Sequence, residues 1–352
     1  MAAATPDVPP VEEWQGCFGS APSASWAGAF GANTVNLAGL PSFDVLAVSQ
    51  GVAVVQTYGK PPYALWMVDL TSGRSTRVAT LDMTAAGTGA GATWLSVDLP
   101  WVVWTQGDSS YNGSDFSVHA WNQATGATSL LFTSRLGNGA FTYGFMPFPV
   151  VHHGFGYWAQ PLPRTTQAPQ AELRRVDLAT GQASVLDTGS ISSPVLAGTT
   201  LTWGRSESSG RYSFKAVNAD TLRPATLPAQ MTSDYQSTIG YLAASPEYVV
   251  WSGTGVGNQD LHAWKVDTNQ LYHSAFDQKH LVQFMQAAGR ILLWNTGTRS
   301  VVFDLQTGKG FDIKGALAGS SDVIAWSSGG AQLQWMRTAS APPITTCGTA
   351  AA

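Results

Sequence analysis

The sequence predicts an all-β protein built as a seven-bladed β-propeller of four-stranded antiparallel blades. Three observations lead to this prediction: a recurring apolar-apolar-Trp motif, a recurring Asp-Leu-x-Thr-Gly turn, and short segments between them that alternate apolar and polar residues. An alternation of period two over five to seven residues, as in residues 116–121, is typical of a β-strand. Four such strands repeated about every 40–50 residues are typical of a propeller blade.

The tryptophan motif recurs once in each predicted blade. A residue that the repeat places at the same strand position every time is expected to pack between adjacent blades rather than to form a ring of ligand-binding aromatics. The first copy has valine in the tryptophan position, and the members of the column are Val55, Trp104, Trp158, Trp203, Trp251, Trp294 and Trp326.

The turn motif recurs independently of the tryptophan motif. Clear copies occupy residues 69–73, 122–126, 177–181 and 304–308, and degenerate copies occupy 218–222 and 265–269. Asp or Asn at the first position can accept hydrogen bonds from the backbone two residues later. Gly or Asn at the last position supplies the positive φ that a tight hairpin requires.

The two ends of the chain are predicted to close the ring. The last unit, residues 318–337, has only three strands, and the spare strand at 33–37 is expected to become its fourth. Closure in this way removes exposed sheet edges. We therefore predict a lead-in segment at 1–28, a single propeller domain at 29–340 and a tail at 341–352. The only two cysteines, Cys17 and Cys347, are predicted to form a disulfide, although two separate buried thiols remain the alternative.

Composition excludes several classes of function. The net charge is −4, charged residues make up 11% of the chain, and no run of Lys or Arg occurs. Nucleic-acid binding requires a basic patch, so nucleic acid is not an expected partner. No apolar run is long enough to span a bilayer, and the first residues lack the basic and apolar regions of a signal peptide. We expect a monomer.

The repeat resembles that of the TolB-like family of bacterial β-propellers. The residues that carry the resemblance are the apolar-apolar-Trp strand, as in 248–252, and the Asp-Leu-x-Thr-Gly turn, as in 177–181, and the likeness extends over about residues 43–337. The resemblance implies a fold more than an activity. Members of the family are mostly secreted or periplasmic and many bind proteins, which together with the low charge implies a secreted, periplasmic or surface-exposed protein.

The histidines give weak candidates for chemistry. His152 and His153 are adjacent on the predicted innermost strand of the third blade, where neighbouring side chains point to opposite faces. We therefore expect that they cannot readily share one metal ion and that one of them could line the channel. Another column contains His119 and His262 but also Trp66, Arg174 and Lys215, which predicts an outward polar face. No zinc motif occurs, so no metal site and no cofactor are predicted.

The carboxylates are equally sparse. Asp44 and Asp98 are the clear acidic candidates on innermost strands, with solvated strand ends as the alternative. The loop 108–115 matches only the start of a calcium-binding loop and is otherwise a polar turn, so calcium at this loop is left open.

Long loops on a rigid scaffold are the expected place for function. Tyrosines combined with Ser, Gly and Asn suit adaptable binding, and the predicted ligand-binding residues are Tyr111, Tyr143, Tyr212 and Tyr235. The leading hypothesis is a protein that binds a glycan or a protein segment through this loop face. The alternative is an extracellular polysaccharide lyase or glycoside hydrolase with its site at the mouth of the central channel, where His152, His153, Tyr143, Arg164 and Arg211 are the catalytic candidates. A purely structural surface protein is the third possibility, and whether the protein is an enzyme stays open.

Overall fold

The computed structural model describes most of the chain. The described residues are 11–14, 16–19, 21–37, 39–40, 42–58, 63–81, 91–107, 115–137, 142, 146–163, 170–206, 212–232, 238–254, 259–276, 284–295, 299–327 and 331–345.

These residues form short strands with very little helix. In chain order the strands are β1 Val11–Glu13, β2 Cys17–Gly19, β3 Thr34–Asn36, β4 Phe43–Ser49, β5 Val52–Thr57, β6 Tyr63–Asp69, β7 Ser75–Leu81, β8 Gly91–Asp98, β9 Trp101–Gly107, β10 Phe116–Asn122, β11 Thr128–Thr133, β12 Val150–His152, β13 Phe155–Pro161, β14 Ala171–Asp177, β15 Ala183–Ile191, β16 Val195–Ala197, β17 Thr200–Ser206, β18 Tyr212–Asn218, β19 Thr238–Ala244, β20 Tyr248–Thr254, β21 Gln259–Lys265, β22 Gln270–Phe276, β23 Gln286–Ala288, β24 Ile291–Asn295, β25 Ser300–Asp304, β26 Lys309–Ile313, β27 Ala316–Ser320, β28 Val323–Ser327 and β29 Gln332–Arg337. The helices are α1 Ala24–Gly31 and α2 Ala229–Thr232, with a 3-10 turn at Thr338–Ser340.

The strands pair into antiparallel units that follow one another along the chain. Units one to three are β4–β7, β8–β11 and β12–β15; unit four is β16–β18; units five to seven are β19–β22, β23–β26 and β27–β29. Units three and four share one continuous sheet because the end of β15 pairs with the end of β17. The first strands of successive units pack against one another, as β4 does against β8 and β27. The all-β propeller prediction is confirmed, and the described strands fall into seven units.

The ring closes as the sequence predicts. The strand β3 pairs antiparallel with β29 and becomes the fourth strand of unit seven, so that Leu333 lies opposite Val35. Both of these side chains are buried in one apolar cluster with the first strand of unit one. The N-terminal segment thereby fastens the last unit to the first.

The lead-in segment is more structured than the sequence indicates. The strand β1 pairs parallel with β22, and β2 pairs parallel with β26, so units five and six each gain a fifth strand. Helix α1 packs on β29 and buries Trp26 and Phe30. Strands of three residues are too short for a readable period, which is why the sequence did not reveal them. Their position covers two outer sheet edges that would otherwise expose unpaired backbone groups.

The tryptophan column packs between units, as predicted. Trp104, Trp158, Trp203, Trp251 and Trp294 are all buried. Trp104 lies in one cluster with residues of units one and two, and the ring of Trp251 lies 5.0 Å from that of Phe214 on unit four.

The ends of the strands define two faces of the ring. The hairpin face carries the tight connections between first and second strands and the recurring turns between third and fourth strands. The loop face is the opposite one, where second and third strands connect and where the chain passes from one unit to the next. In the turns, Asp177 Oδ1 accepts hydrogen bonds from Ala179 N and Thr180 N, and Gly181 has φ of 75°. This is the predicted turn chemistry.

Candidate functional site

Four aromatic rings meet at the loop-face end of the central channel. The ring centroids of Trp94 and Phe148 are 3.6 Å apart, those of Trp94 and Phe284 are 5.0 Å apart, and those of Tyr241 and Phe284 are 5.3 Å apart. Trp94 belongs to unit two, Phe148 precedes unit three, Tyr241 belongs to unit five and Phe284 precedes unit six. Units two and six lie across the ring from each other, so these rings meet over the channel. We call this group the mouth aromatics.

Bulges in the innermost strands aim some of these side chains. The pairing of β8 with β9 shifts between Ala92 and Leu95, and that of β19 with β20 shifts between Ile239 and Leu242. Trp94 and Tyr241 lie inside these two irregularities. A bulge turns a side chain away from the direction that regular alternation would give it. The same irregularity in β4 brackets Leu46.

Phe284 is the most unusual of the mouth aromatics. Its side chain is 47% exposed, although large apolar side chains in this protein are mostly buried. Its φ is 51°, in the left-handed region that bulky residues avoid. Strained residues of this kind cluster at binding and catalytic sites, where the surroundings hold them in place. Phe284 therefore marks this end of the channel as a candidate functional site.

A cavity of about 360 Å³ adjoins the mouth aromatics between units one, six and seven. Its walls include Asp44, Leu46, Phe284, Gln286 and Arg299. This volume lies at the lower end of the range of about 300–1,000 Å³ for small-molecule sites. The cavity thus combines apolar side chains with several polar and charged groups.

The polar groups of the cavity differ in what they can do. Both ends of the Gln286 amide are engaged, since its Nε2 donates to Leu46 O at 3.2 Å and its Oε1 accepts from Gly319 N at 2.8 Å. Arg299 is largely exposed and its Nη1 donates to Asp312 Oδ2 at 3.2 Å. Arg299 therefore presents a cation at the cavity while Gln286 holds neighbouring units together.

Asp44 is the acidic group of the cavity. Partial burial raises the pKa of its carboxyl above the ordinary value. The pKa of the nearby Tyr58 is raised as well, by burial first and then by the charge of Asp44. A carboxyl whose pKa is raised can exchange a proton closer to neutral pH than an ordinary aspartate. Of the two acidic candidates from the sequence, Asp44 lies in the cavity.

Asp98, in contrast to Asp44, has a structural role. Its Oδ1 accepts a hydrogen bond from Gln50 Nε2 at 2.8 Å, and its Oδ2 accepts from the backbone N–H of His153 at 2.6 Å. These contacts join the hairpins of units one, two and three on the hairpin face. Asp98 therefore links neighbouring units.

Most of the predicted loop residues lie outside the described part of the chain. This is true of Tyr111, Tyr143, Arg164, Arg211 and Tyr235, of residues 108–114 of the loop compared with a calcium-binding loop, and of Cys347. Tyr212 is described and lies half-buried at the start of β18, opposite Ser206. Asp115, the last residue of that loop, is buried and forms a two-point ion pair with Arg135. The ligand and catalytic assignments of these residues stay predictions.

His152 and His153 meet on one carboxylate, so the expectation that their side chains point to opposite faces of the strand is wrong. His152 Nε2 and His153 Nδ1 lie 2.8 Å and 3.0 Å from Asp220 Oδ1, and their rings stack at 3.9 Å. The alternation rule fails because β12 ends at His152 and because His153 adopts φ of 47°. Hydrogen bonds from His153 and then His152 lower the pKa of Asp220. The pair lies on the hairpin face, away from the mouth aromatics.

His119 and His262 are half-buried at the position predicted to form an outward polar face. Each stacks on the tryptophan of its own unit: His119 on Trp104 at 5.2 Å and His262 on Trp251 at 5.3 Å. Burial, followed by the charge of His273, lowers the pKa of His262 to about 3.

The mouth aromatics were missed at the sequence level. Trp94 stands outside the tryptophan column, and Phe148, Tyr241 and Phe284 belong to no repeated motif. The sequence did contain one feature that could have identified them. They are aromatic residues outside the repeated motifs, and they lie on an innermost strand or just before one.

Comparisons with known proteins support the fold. No protein-family model and no curated protein sequence matches this chain. An oligogalacturonate lyase from Vibrio parahaemolyticus superposes with a TM-score of 0.51 at 10% identity, over 84% of this chain and 89% of that one. A prolyl endopeptidase superposes with a TM-score of 0.53 at 12% identity, over 86% of this chain and 48% of that one.

TolB from Acinetobacter baumannii is also similar, with a TM-score of 0.48 at 10% identity over 80% of this chain and 64% of that one. The lyase and the endopeptidase, whose TM-scores exceed 0.5, share the propeller fold, which confirms the resemblance at the level of the fold. Identities this low establish the fold alone. Within the described residues, no helix has the length and apolar character needed to cross a membrane.

Proposed function

We propose that this protein binds a glycan at the loop-face mouth of its central channel, in an extracellular, periplasmic or cell-surface setting. The observation that carries the proposal is the group formed by Trp94, Phe148, Tyr241 and the half-exposed Phe284 beside the cavity. Aromatic rings offer flat apolar faces on which the C–H faces of a sugar ring can pack. The predicted tyrosine-rich loops would extend this surface.

The neighbouring charges suit a polar ligand. Arg299 can pair with a carboxylate or donate to hydroxyl groups, and Asp44 can accept from hydroxyl groups. The scaffold that holds them is rigid, since Gln286 ties unit six to units one and seven. A preorganised site loses little conformational entropy when it binds, which favours affinity.

A carbohydrate-active enzyme is the second candidate, and the observation that favours it is that Asp44, whose pKa is raised by burial, and the cationic Arg299 line the same cavity. In an elimination, a base removes the proton next to the carboxylate of a uronate, a carbon–carbon double bond forms and the glycosidic C–O bond breaks, and water protonates the departing sugar oxygen. A cation neutralises the uronate carboxylate during this step. Asp44 would supply the base and Arg299 the cation. The fold is compatible with this chemistry, since one structural neighbour is named as an oligogalacturonate lyase.

The test is binding of a polysaccharide and oligosaccharide panel by isothermal titration calorimetry. We expect Phe284→Ala to weaken binding of the best ligand about tenfold or more, equivalent to about 1.4 kcal/mol. Leu130→Ala is the matched control, because Leu130 is also a large exposed apolar residue but lies on the outer strand β11. Equal affinities for Phe284→Ala and the wild type would contradict a site at the mouth aromatics.

Turnover on the same panel separates a binder from an enzyme. New reducing ends indicate cleavage, and the ultraviolet absorbance of unsaturated uronates distinguishes elimination from hydrolysis. Activity that Asp44→Asn abolishes while affinity is retained would support the enzyme. An inactive, non-binding protein that instead captures a peptide would favour a protein segment as ligand.

A further inference from the structure

A carboxylate and two imidazoles converge on the surface of unit five, away from the channel mouth. Asp260 and His262 alternate along β21, so their side chains project from the same face of the sheet. His273 on β22 lies directly opposite His262 in the antiparallel pairing. Two residues at positions i and i+2 and their cross-strand neighbour therefore present three potential metal ligands on one face.

The distances within this group are more consistent with three ligands of one metal ion than with hydrogen bonds. His273 Nε2 and Asp260 Oδ1 are 3.6 Å apart, too far for a hydrogen bond. Two ligands about 2.0–2.1 Å from one tetrahedral ion are about 3.3 Å apart. One ligand atom from each of Asp260, His262 and His273 lies within 4.8 Å of the others. Small side-chain adjustments would bring all three onto a single ion.

The ring nitrogen of His273 that faces away from Asp260 already has a partner, which orients the imidazole. Its Nδ1 lies 2.7 Å from Oε2 of Glu13, which belongs to the added strand β1. A histidine that binds a metal through one ring nitrogen usually donates the other N–H to a carboxylate or carbonyl. The contact with Glu13 selects the tautomer with the proton on Nδ1 and leaves Nε2, the atom facing Asp260, as the lone-pair donor.

The surroundings of these three residues hold His262 in place and leave the group accessible to solvent. The ring of His262 stacks on Trp251 with an interplanar angle of 12° and lies 4.7 Å from the ring of His273. The side chains of Asp260 and His273 keep 32% and 24% of their surface exposed. An ion could therefore enter from solvent, and three protein ligands would leave at least one coordination position open.

We propose that Asp260, His262 and His273 bind a divalent first-row transition-metal ion such as Zn²⁺, with Glu13 orienting His273. Two imidazoles and one carboxylate are a common ligand set for such ions. Because Glu13 lies on β1, the ion would also strengthen the attachment of the N-terminal strand to unit five. The open coordination position is available to water or to an anionic ligand.

The experiment titrates the full chain, stripped of metal with EDTA, with Zn²⁺ and with Co²⁺ as a spectroscopic probe. We expect one tightly bound equivalent and visible Co²⁺ absorption bands. His262→Ala and His273→Ala should lose this equivalent. Glu13→Gln should bind about 10- to 100-fold more weakly, because it perturbs only the partner of a ligand.

His119→Ala is the matched control. His119 has the same repeat position in unit two and the same stacking on a tryptophan, but its Nε2 pairs with Ser117 Oγ at 2.7 Å. We expect this variant to bind Zn²⁺ as the wild type does. Asp260→Asn is a milder second variant, and it should weaken binding without the loss of packing that a buried histidine substitution can cause.

Thermal unfolding of each variant in EDTA verifies that it folds. Added Zn²⁺ should raise the Tm of the wild type but not that of His273→Ala, because a ligand that binds only the folded state stabilises that state. One tight equivalent retained in the His262→Ala, His273→Ala double variant would overturn the proposal. It would also be overturned if the equivalent were lost only in His152→Ala, His153→Ala, because the ion would then bind beside Asp220.

Discussion

Asp187 illustrates how single charged residues are used in a chain that has few of them. Trp203 Nε1 donates to its Oδ2 at 2.9 Å, Arg205 Nη1 donates to its Oδ1 at 2.6 Å, and Lys215 Nζ lies 3.5 Å away. Burial alone would raise the pKa of Asp187, but these hydrogen bonds, with one from Thr188 N, outweigh burial and lower it. The ionised form therefore stabilises the folded protein.

This makes Asp187 a source of pH-dependent stability. Its pKa is lower in the folded than in the unfolded protein, so its contribution is complete above the unfolded value of about 3.9 and is lost as the pH falls through the folded value. Asp187→Asn should lower the free energy of unfolding by about 1–3 kcal/mol at pH 7. In urea denaturation the deficit should shrink toward pH 3.

Asp322→Asn is the control for this prediction, because Asp322 pairs with Arg337 at an exposed position. It should cost less than about 1 kcal/mol. A deficit for Asp187→Asn of the same size at pH 7 and pH 3 would show that packing, not charge, is responsible.

At the scale of elements, a buried ion pair fastens the C-terminal segment to unit six. Asp304 at the end of β25 is fully buried and accepts from Arg290 Nε at 3.2 Å and from Ile344 N at 3.3 Å. Arg290 Nη2 donates to Ala341 O at 2.7 Å. The beginning of the segment predicted as a tail is thus packed, with Ala341 and Ile344 buried in an apolar cluster.

Arg290→Gln should therefore be strongly destabilising. It leaves the carboxylate of Asp304 buried without its charged partner, which costs about 3–5 kcal/mol. Arg337→Gln removes an exposed cation of the same kind and should cost less than about 1 kcal/mol. Chemical denaturation of the two variants under identical conditions compares them, and similar losses would contradict the importance assigned to burial.

At the scale of the whole molecule, both chain ends reach the same region. Cys17 on β2 lies opposite Lys309 of unit six. The Nζ of Lys309 donates to Thr345 O at 2.6 Å, and Thr345 precedes Cys347 by two residues in the sequence. Cys17 therefore lies beside the sheet of unit six, whereas β3 closes the ring by pairing with unit seven. These contacts support the proposed disulfide between Cys17 and Cys347.

We expect the proposed disulfide to raise the free energy of unfolding substantially. Its loop would span almost the entire chain, so Cys17→Ser should lower the free energy of unfolding by up to about 4–5 kcal/mol. The double variant with Cys347→Ser should lose no more than the single variant, and a reductant should lower the stability of the wild type alone. Peptide mapping without reductant should find the linked peptides. Two thiols that both react with a thiol reagent after unfolding would contradict the disulfide.

The sequence by itself determined the repeating architecture. Period-two segments, the buried tryptophan column and turns such as residues 177–181 are encoded locally, because strands and hairpins depend on neighbouring residues. The closing strand β3 was predictable because the last unit lacked a strand.

Only the tertiary structure decided which side chains meet. The pairing of β1 and β2 with distant strands, the bulges that aim Trp94 and Tyr241, and the contact of Phe284 with both depend on the closed ring. The approach of His152 and His153 to Asp220 depends on where a strand ends, and that of Asp260 and His273 depends on strand register. Such contacts join residues far apart in the chain, so no local pattern encodes them.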